Sequence, residues 1–427
     1  MKSIIKIVLT AISLVAGVLQ LQAQVTLEDI ERDPRLSALN LCEYPVQKIS
    51  GQTKAPGGFK PCYVYMYSRH GSRYLIEDEE LLVPYGMLSA ADSAGGLTDA
   101  GKRTLERLSV IIPQVSGRYG HLADVGRRQL YGIAGRMYDS YPSLFKGHAV
   151  IDAKSTDSPR VIFTMTAFGE EMVRRNPKIT FNVSCDGHNP EEWGSPVAEN
   201  KDYEETATPW LSKNKQYRNA IINYDVIVSR IFTKEYLESH KLSSRSIIAK
   251  LMAAAANVQD MDVPFDKCSL YEIFTPEELY AYAVTNNYAM ALGFGALPCS
   301  YGVESASFKQ PARYLVERAD DALNCNGPSA TLRFCHDSQI GPWASALKLG
   351  GAYFDTMDVD EIHHAYNVGD VVPMAANIQF VFFKNRKGKV LVKILLNERE
   401  TSIPLPNAEE GAPYYRWEDL KTYLLSY

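Results

Sequence analysis

Two arginines flank one histidine in Arg69-His70-Gly71-Ser72-Arg73, and a glycine follows the histidine at once. Buried arginine is costly unless it is paired, so two of them at the end of a core strand call for an anion. Phosphate fits: guanidinium groups grip its oxygens in bidentate fashion and stay charged at any working pH. Gly71 allows a sharp turn and close backbone approach. A helix beginning just after it would add its free N–H groups to the anion site. An imidazole held among such groups can attack phosphorus and carry the phosphoryl group covalently. A surface turn with a few charges would hold the same residues, but the stretch before it argues for a buried position.

Two further places in the chain offer matching chemistry. Asp157-Ser158-Pro159-Arg160 reads as a helix start, with Asp157 or Ser158 as cap and Pro159 in the first turn. Arg160 would then project from a helix N-terminus, where a phosphate could sit. His336-Asp337-Ser338 stands ahead of an apolar helix expected over Ile340 to Leu349. A lone His-Asp pair is a weak motif, and a plain exposed arginine would look like Arg160. Position strengthens both.

That position comes from three apolar runs. Tyr63-Val64-Tyr65-Met66-Tyr67, Ala149-Val150-Ile151-Asp152-Ala153 and Ala330-Thr331-Leu332-Arg333-Phe334-Cys335 each read as a core strand. Each runs into a charged tip and then a helix. The pattern predicts an α/β fold, a mostly parallel central sheet flanked by helices. Ligands of open α/β sheets gather at the carboxyl ends of strands, which brings His70, Arg160, His336 and Asp337 to one edge.

The other elements are expected to frame this edge. Residues 24–60 are polar and read as irregular. Glu77-Asp78-Glu79-Glu80 reads as a solvated helix start. Helices are expected over Thr98 to Ile112, capped by Thr98, and over Leu122 to Tyr141, ending before Pro142. Residues 171–300 lack long strand patterns and read as a mainly helical insert that shapes access to the site. Lys213, Lys215 and Arg218 read as a solvated basic face. Asn377 to Phe383 and Lys389 to Leu396 form a hairpin by alternation, with Asn385-Arg386-Lys387-Gly388 as its turn. His363-His364, adjacent on a loop, are poor metal co-ligands, and His121, His148, His188 and His240 read as surface or structural.

The chain has 427 residues, 46% hydrophobic and 22% charged, which is ordinary globular composition. Met1 to Ala23 has the layout of a secretory signal: Lys2 and Lys6, an apolar Ile7 to Leu19, then Leu21-Gln22-Ala23. Its apolar core is short for a membrane span. Cleavage after Ala23 removes two positive charges and no acid, so the net charge of −5 becomes −7. Such a balance does not suit a nucleic-acid binder, and basic anion sites must be local. Export to the periplasm or the extracellular space permits disulfides. Seven cysteines is an odd number, so at least one stands outside any intrachain pairing; Cys335, in a core strand, is the expected free thiol. No Cys-x-x-Cys or His-x-x-x-His spacing suggests a metal.

The stretch around His70 strongly resembles the Arg-His-Gly-x-Arg signature of the histidine acid phosphatases, branch 2 of the histidine phosphatase superfamily. That family includes phytases and multiple inositol polyphosphate phosphatases. Gly126-Arg127-Arg128-Gln129 resembles a helix the family places after its signature, Ser155 to Ala167 its second arginine site, and His336-Asp337 its second signature. Arg127 and Arg128 read as surface charges rather than ligands. The resemblance implies that His70 is the nucleophile, that Arg69, Arg73, Arg160 and His336 hold the phosphoryl oxygens, and that Asp337 protonates the leaving alcohol. It implies no cofactor. There are two departures: Leu75 stands where the family often has proline, and His336-Asp337-Ser338 stands where the inositol polyphosphate branch often has His-Ala-Glu.

The expectation is therefore an exported phosphomonoesterase, metal-independent, acting on a small-molecule phosphate ester, with inositol polyphosphates the leading class. A broad acid phosphatase is the first alternative. A non-catalytic phosphate-ester-binding protein would keep the arginines but has no need of His70 and Asp337. Export away from metabolites argues against a phosphomutase. The domain layout expected is a signal at 1–23, an α/β part at 24–170, the insert at 171–300 and a second α/β part at 301–427.

Overall fold

The computed structural model describes residues 25–46, 49, 51–187, 189–194, 201–300, 302–324 and 327–427. The expected signal segment, His188 and Cys325 lie outside the described residues. Among the described residues eight strands make one sheet: β1 (Lys60–Arg69), β2 (Val150–Ser155), β3 (Thr180–Cys185), β4 (Ala330–Cys335), β5 (Asn377–Lys384), β6 (Val390–Leu396), β7 (Arg399–Glu400) and β8 (Tyr414–Arg416). Their order is β3-β2-β4-β1-β5-β6-β7, with β8 also pairing β6. The first four in that order run parallel, and the pairings from β1 to β5 onward are antiparallel. The parallel half carries the site.

Alternation along β1 explains its unbroken apolar run. Tyr63, Tyr65 and Tyr67 enter one core, and Val64 and Met66 enter the other. The second core is closed by the helices Asp124–Ser140 and Pro159–Arg175, through residues such as Ile133, Met137, Met165 and Phe168. The first is closed by the helices Val303–Leu323 and Asp337–Ala346, where Trp343 packs tilted against Tyr67 with ring centroids 3.7 Å apart, and by helices of residues 201–300. A strand covered on both faces favours apolar residues at successive positions, because neither face meets water.

Several elements differ from expectation. Residues 24–60 are less irregular than their composition suggests: Leu27–Arg32 is a helix with a capping box from Thr26 and Asp29, and Pro34–Leu41 forms 3₁₀ turns. β3 lies within the stretch expected to be helical. It is an exposed edge strand, with Val183 62% exposed, so it carries no buried-strand pattern. Arg218 is not on a solvated face: it donates to Thr285 Oγ1 at 2.8 Å and to Asn286 Oδ1 at 2.5 Å, tying the helix Lys201–Ile221 to Pro276–Gly293. His363 and His364 sit on a short helix, Val359–Ala365, rather than on a loop.

The expectations for Thr98, Asn385 and Cys335 match. Thr98 caps the helix Asp99–Val115 by accepting from Gly101 N at 3.1 Å. Asn385 holds the hairpin turn, its Oδ1 accepting from the backbone of Lys387 and of Lys389, each at 3.0 Å. Cys335 is a buried thiol on β4, and burial raises its pKa. Among the described residues no helix is long and apolar enough to cross a membrane.

Candidate active site

The site stands at the carboxyl ends of β1, β2 and β4. Arg69 closes β1 opposite Cys335 of β4. His70 follows, its N–H donating to Cys335 O at 3.0 Å and its C=O accepting from Ala375 N at 2.9 Å. These bonds place the imidazole between two strand tips, where it is 2% exposed. His70 Nδ1 lies 2.9 Å from Gly71 O. A carbonyl only accepts, so Nδ1 carries the proton and Nε2 keeps its lone pair. Burial, and then the charge of Arg69, His336, Arg73 and Arg160, drives the His70 pKa well below its ordinary value. The ring is therefore neutral, with a nucleophilic nitrogen.

Glycine is required where the signature turns away from β1. A Cβ on Gly71 would meet Gly126 Cα and O at 2.7 Å, and one on Gly126 would meet Ser72 O at 2.3 Å. The start of the helix Asp124–Ser140 is thus pressed against the signature backbone. Gln129 locks the contact: its Oε1 accepts from Ser72 N at 2.9 Å and its Nε2 donates to Ser72 Oγ at 2.8 Å.

Three guanidinium groups converge on His70. Arg69 is 1% exposed and bonded at one nitrogen to the carbonyls of Asn40 and Val372, at 2.5 and 2.8 Å. Its other terminal nitrogen meets Asp337 Oδ2 at 2.9 Å. Arg73 donates to Tyr74 O at 2.9 Å, and burial and the neighbouring Arg69 lower its pKa to about 10. Arg160 occupies the first turn of Pro159–Arg175, with Ser158 as N-cap, and burial lowers its pKa. Among the described residues, the Nε–H donors of all three are buried with no acceptor. A buried charged donor left unpaired is expensive, so the cluster is built for an acceptor that arrives from outside.

His336 and Asp337 complete the group at the tip of β4, where His336 is the N-cap of Asp337–Ala346. Arg160 Nη2 lies 3.4 Å from His336 Nδ1, and Thr156 Oγ1 lies 3.1 Å from Nε2. Guanidinium only donates, so Nδ1 is bare and Nε2 carries the proton. Burial, followed by Arg160, lowers the His336 pKa to about 4. Burial pushes the Asp337 carboxyl up, yet Arg69, a bond from Asn40 and the remaining positive groups outweigh it, so the pKa lies below its ordinary value.

The structure brings all six anticipated residues to one edge, and adds others. Asp260 is fully buried and accepts from Ser72 Oγ at 2.5 Å; burial raises its pKa to about 7 against the pull of Ser72, Arg73 and Arg69. Asp262 accepts from the N–H groups of Asp124 and Val125 at 2.8 and 3.1 Å, capping a helix whose own N-cap, Ala123, cannot. Thr164 accepts from Gly71 N at 3.2 Å. These partners are far away in sequence, and no local motif marks them. Arg127 and Arg128 stay at the surface, Arg127 within 3.7 Å of Glu170.

The family model of the histidine phosphatase superfamily (branch 2) matches residues 63–397. The chain belongs to that superfamily. Membership makes it a phosphatase, a hydrolase of phosphate monoesters. Among solved structures it is similar to the multiple inositol polyphosphate phosphatase of Bifidobacterium longum in its apo form, with a TM-score of 0.70 at 19% identity, covering 91% of this chain and 97% of that one. The same enzyme in complex with inositol hexasulfate gives a TM-score of 0.68 over the same shares, also at 19% identity. The phytase from D. castellii gives 0.62 at 16% identity, covering 92% of this chain and 84% of that one. At such identities the likeness is one of fold. No curated protein matches the chain in sequence.

Proposed function

We propose that this phosphatase is exported, works without a metal ion through a phosphohistidine at His70, and acts on inositol polyphosphates. The observation that carries the chemistry is the set of three buried, acceptorless guanidinium Nε–H groups around a neutral histidine. A phosphoryl transition state spreads negative charge over its equatorial oxygens, and fixed positive donors stabilise it. Arg69, Arg73 and Arg160 supply that charge, and His336 adds an imidazole donor once an anion raises its pKa.

His70 Nε2 attacks phosphorus as the ester P–O bond breaks. Asp337, protonated once the substrate dianion offsets the pull of Arg69, gives its proton to the leaving alkoxide. The resulting carboxylate then takes a proton from water as water attacks phosphorus, the P–N bond breaks and phosphate is released. Each turnover consumes one ester and one water, and returns His70 neutral and Asp337 protonated.

The substrate class rests on the fold it shares with the inositol polyphosphate phosphatase and the phytase, and on the dense cation cluster, which suits a polyanion. His336-Asp337-Ser338 in place of a His-Ala-Glu motif favours a broad acid phosphatase as the second reading. Residues 1–23 support export. Product analysis tests the proposal: phytate should be dephosphorylated with kcat/KM well above that for simple monoesters, and EDTA should leave the rate unchanged. Faster turnover of simple monoesters would support the second reading, and loss of activity in EDTA restored by a divalent ion would end the metal-free one.

A further inference from the structure

We infer that Asn40 is a positioning residue for the proton donor: with Arg69 it holds one carboxyl oxygen of Asp337 and so assigns the transferable proton to the other. The inference rests on the reading of Asp337 as general acid. Asn40 Nδ2 donates to Asp337 Oδ2 at 2.9 Å, and Arg69 Nη2 meets the same oxygen at 2.9 Å. Asp337 Oδ1 accepts from the backbone N–H of Ser338 at 3.0 Å, a neutral donor. Two donors on Oδ2, one of them charged, make it the poorer place for a proton, which falls on Oδ1.

Asn40 is tied to the clamp through its backbone as well. Its carbonyl accepts from Arg69 Nη1 at 2.5 Å, so a single residue touches both members of the Arg69–Asp337 pair. The preceding residue has an unusual backbone: Leu39 is buried with φ +56° and ψ −113°, inside the 3₁₀ segment Pro34–Leu41. Non-glycine residues keep such conformations only where their surroundings hold them. Here Cys42 N donates to Leu39 O at 2.9 Å and Met374 N donates to Cys42 O at 3.0 Å. Gly369 lies so near that a Cβ on it would stand 3.0 Å from Leu39 O. The turn that presents Asn40 is therefore braced by the 369–374 segment.

Asn40→Leu keeps the size of the side chain and removes the donor; Asn40→Ser is the second variant should the first fail to fold. Single-turnover phosphoenzyme formation is measured for an alkyl phosphate and for p-nitrophenyl phosphate, across pH. The alkyl rate should fall by about tenfold, part of what general-acid assistance supplies, with at most a small loss on the nitrophenyl ester. Loss of a donor to the carboxylate raises the pKa of Asp337, so the basic limb of the alkyl profile should move to higher pH. Adding Asn40→Leu to Asp337→Asn should cost nothing further on the alkyl ester. Equal losses on both esters, or unchanged rates with an unmoved limb, would overturn the inference. If Asp337→Asn by itself fails to discriminate the two esters, the general-acid reading falls first. If it discriminates and Asn40→Leu does not, Asn40 alone is excluded.

Discussion

Arg69 and Asp337 form an ion pair of 2.9 Å across the tips of two neighbouring parallel strands, β1 and β4. The pair explains why Asp337 is ionised in the free site although buried groups tend to be neutral. It also identifies the event that would protonate it: an incoming phosphate dianion that competes for the same guanidinium.

Leaving-group dependence checks that role. An inositol hydroxyl leaves poorly as an alkoxide, whereas nitrophenolate leaves without help. Asp337→Asn should lose about 10²–10⁴-fold in phosphoenzyme formation on alkyl phosphates and much less on p-nitrophenyl phosphate. Equal losses in single-turnover measurements would make Asp337 a structural residue.

Arg160→Ala should cost about 10²-fold or more in kcat/KM, as removal of a preorganised donor does, and should weaken inhibition by free phosphate. Arg160 is also the leading charge that holds the His336 pKa down after burial. Its removal should move the His336 imidazole titration, followed by NMR, upward from about 4. An unmoved titration together with wild-type phosphate inhibition would place Arg160 outside the site.

Asp260 makes stability depend on pH. Folding raises its pKa from 3.8 to about 7, chiefly by burial. The native state then holds a proton that the unfolded chain releases, so the stabilisation is full below the ordinary value and is lost as pH rises through about 7. Asp260→Asn should therefore gain in Tm relative to the wild type as pH rises from about 4 to about 7. A relative Tm that stays constant or falls with pH would mean that the carboxylate is held ionised by Arg73.

The residues of the candidate site were legible in the sequence because they sit on contiguous signals. Arg69, His70 and Arg73 end an apolar run, Arg160 follows a proline start, and His336-Asp337 joins a strand to a helix. Each places its side chains by local geometry alone. The supporting residues carry no such signal. Asn40 meets Asp337 across 297 positions and Asp260 meets Ser72 across 188, and each reads locally as an ordinary polar residue. β3 escaped because it is a short edge strand, six residues whose alternating Phe181, Val183 and Cys185 give only a brief signal and whose Val183 is left exposed. Arg218 looked solvated because the partners that bury it, Thr285 and Asn286, stand on a different helix.

The central claim is that His70 carries the phosphoryl group. Wild-type enzyme mixed with labelled substrate and quenched during turnover should hold label on His70, in an acid-labile linkage, and His70→Ala should fold, carry no label and show almost no turnover. Label on another residue, or normal turnover in the folded variant, would contradict it.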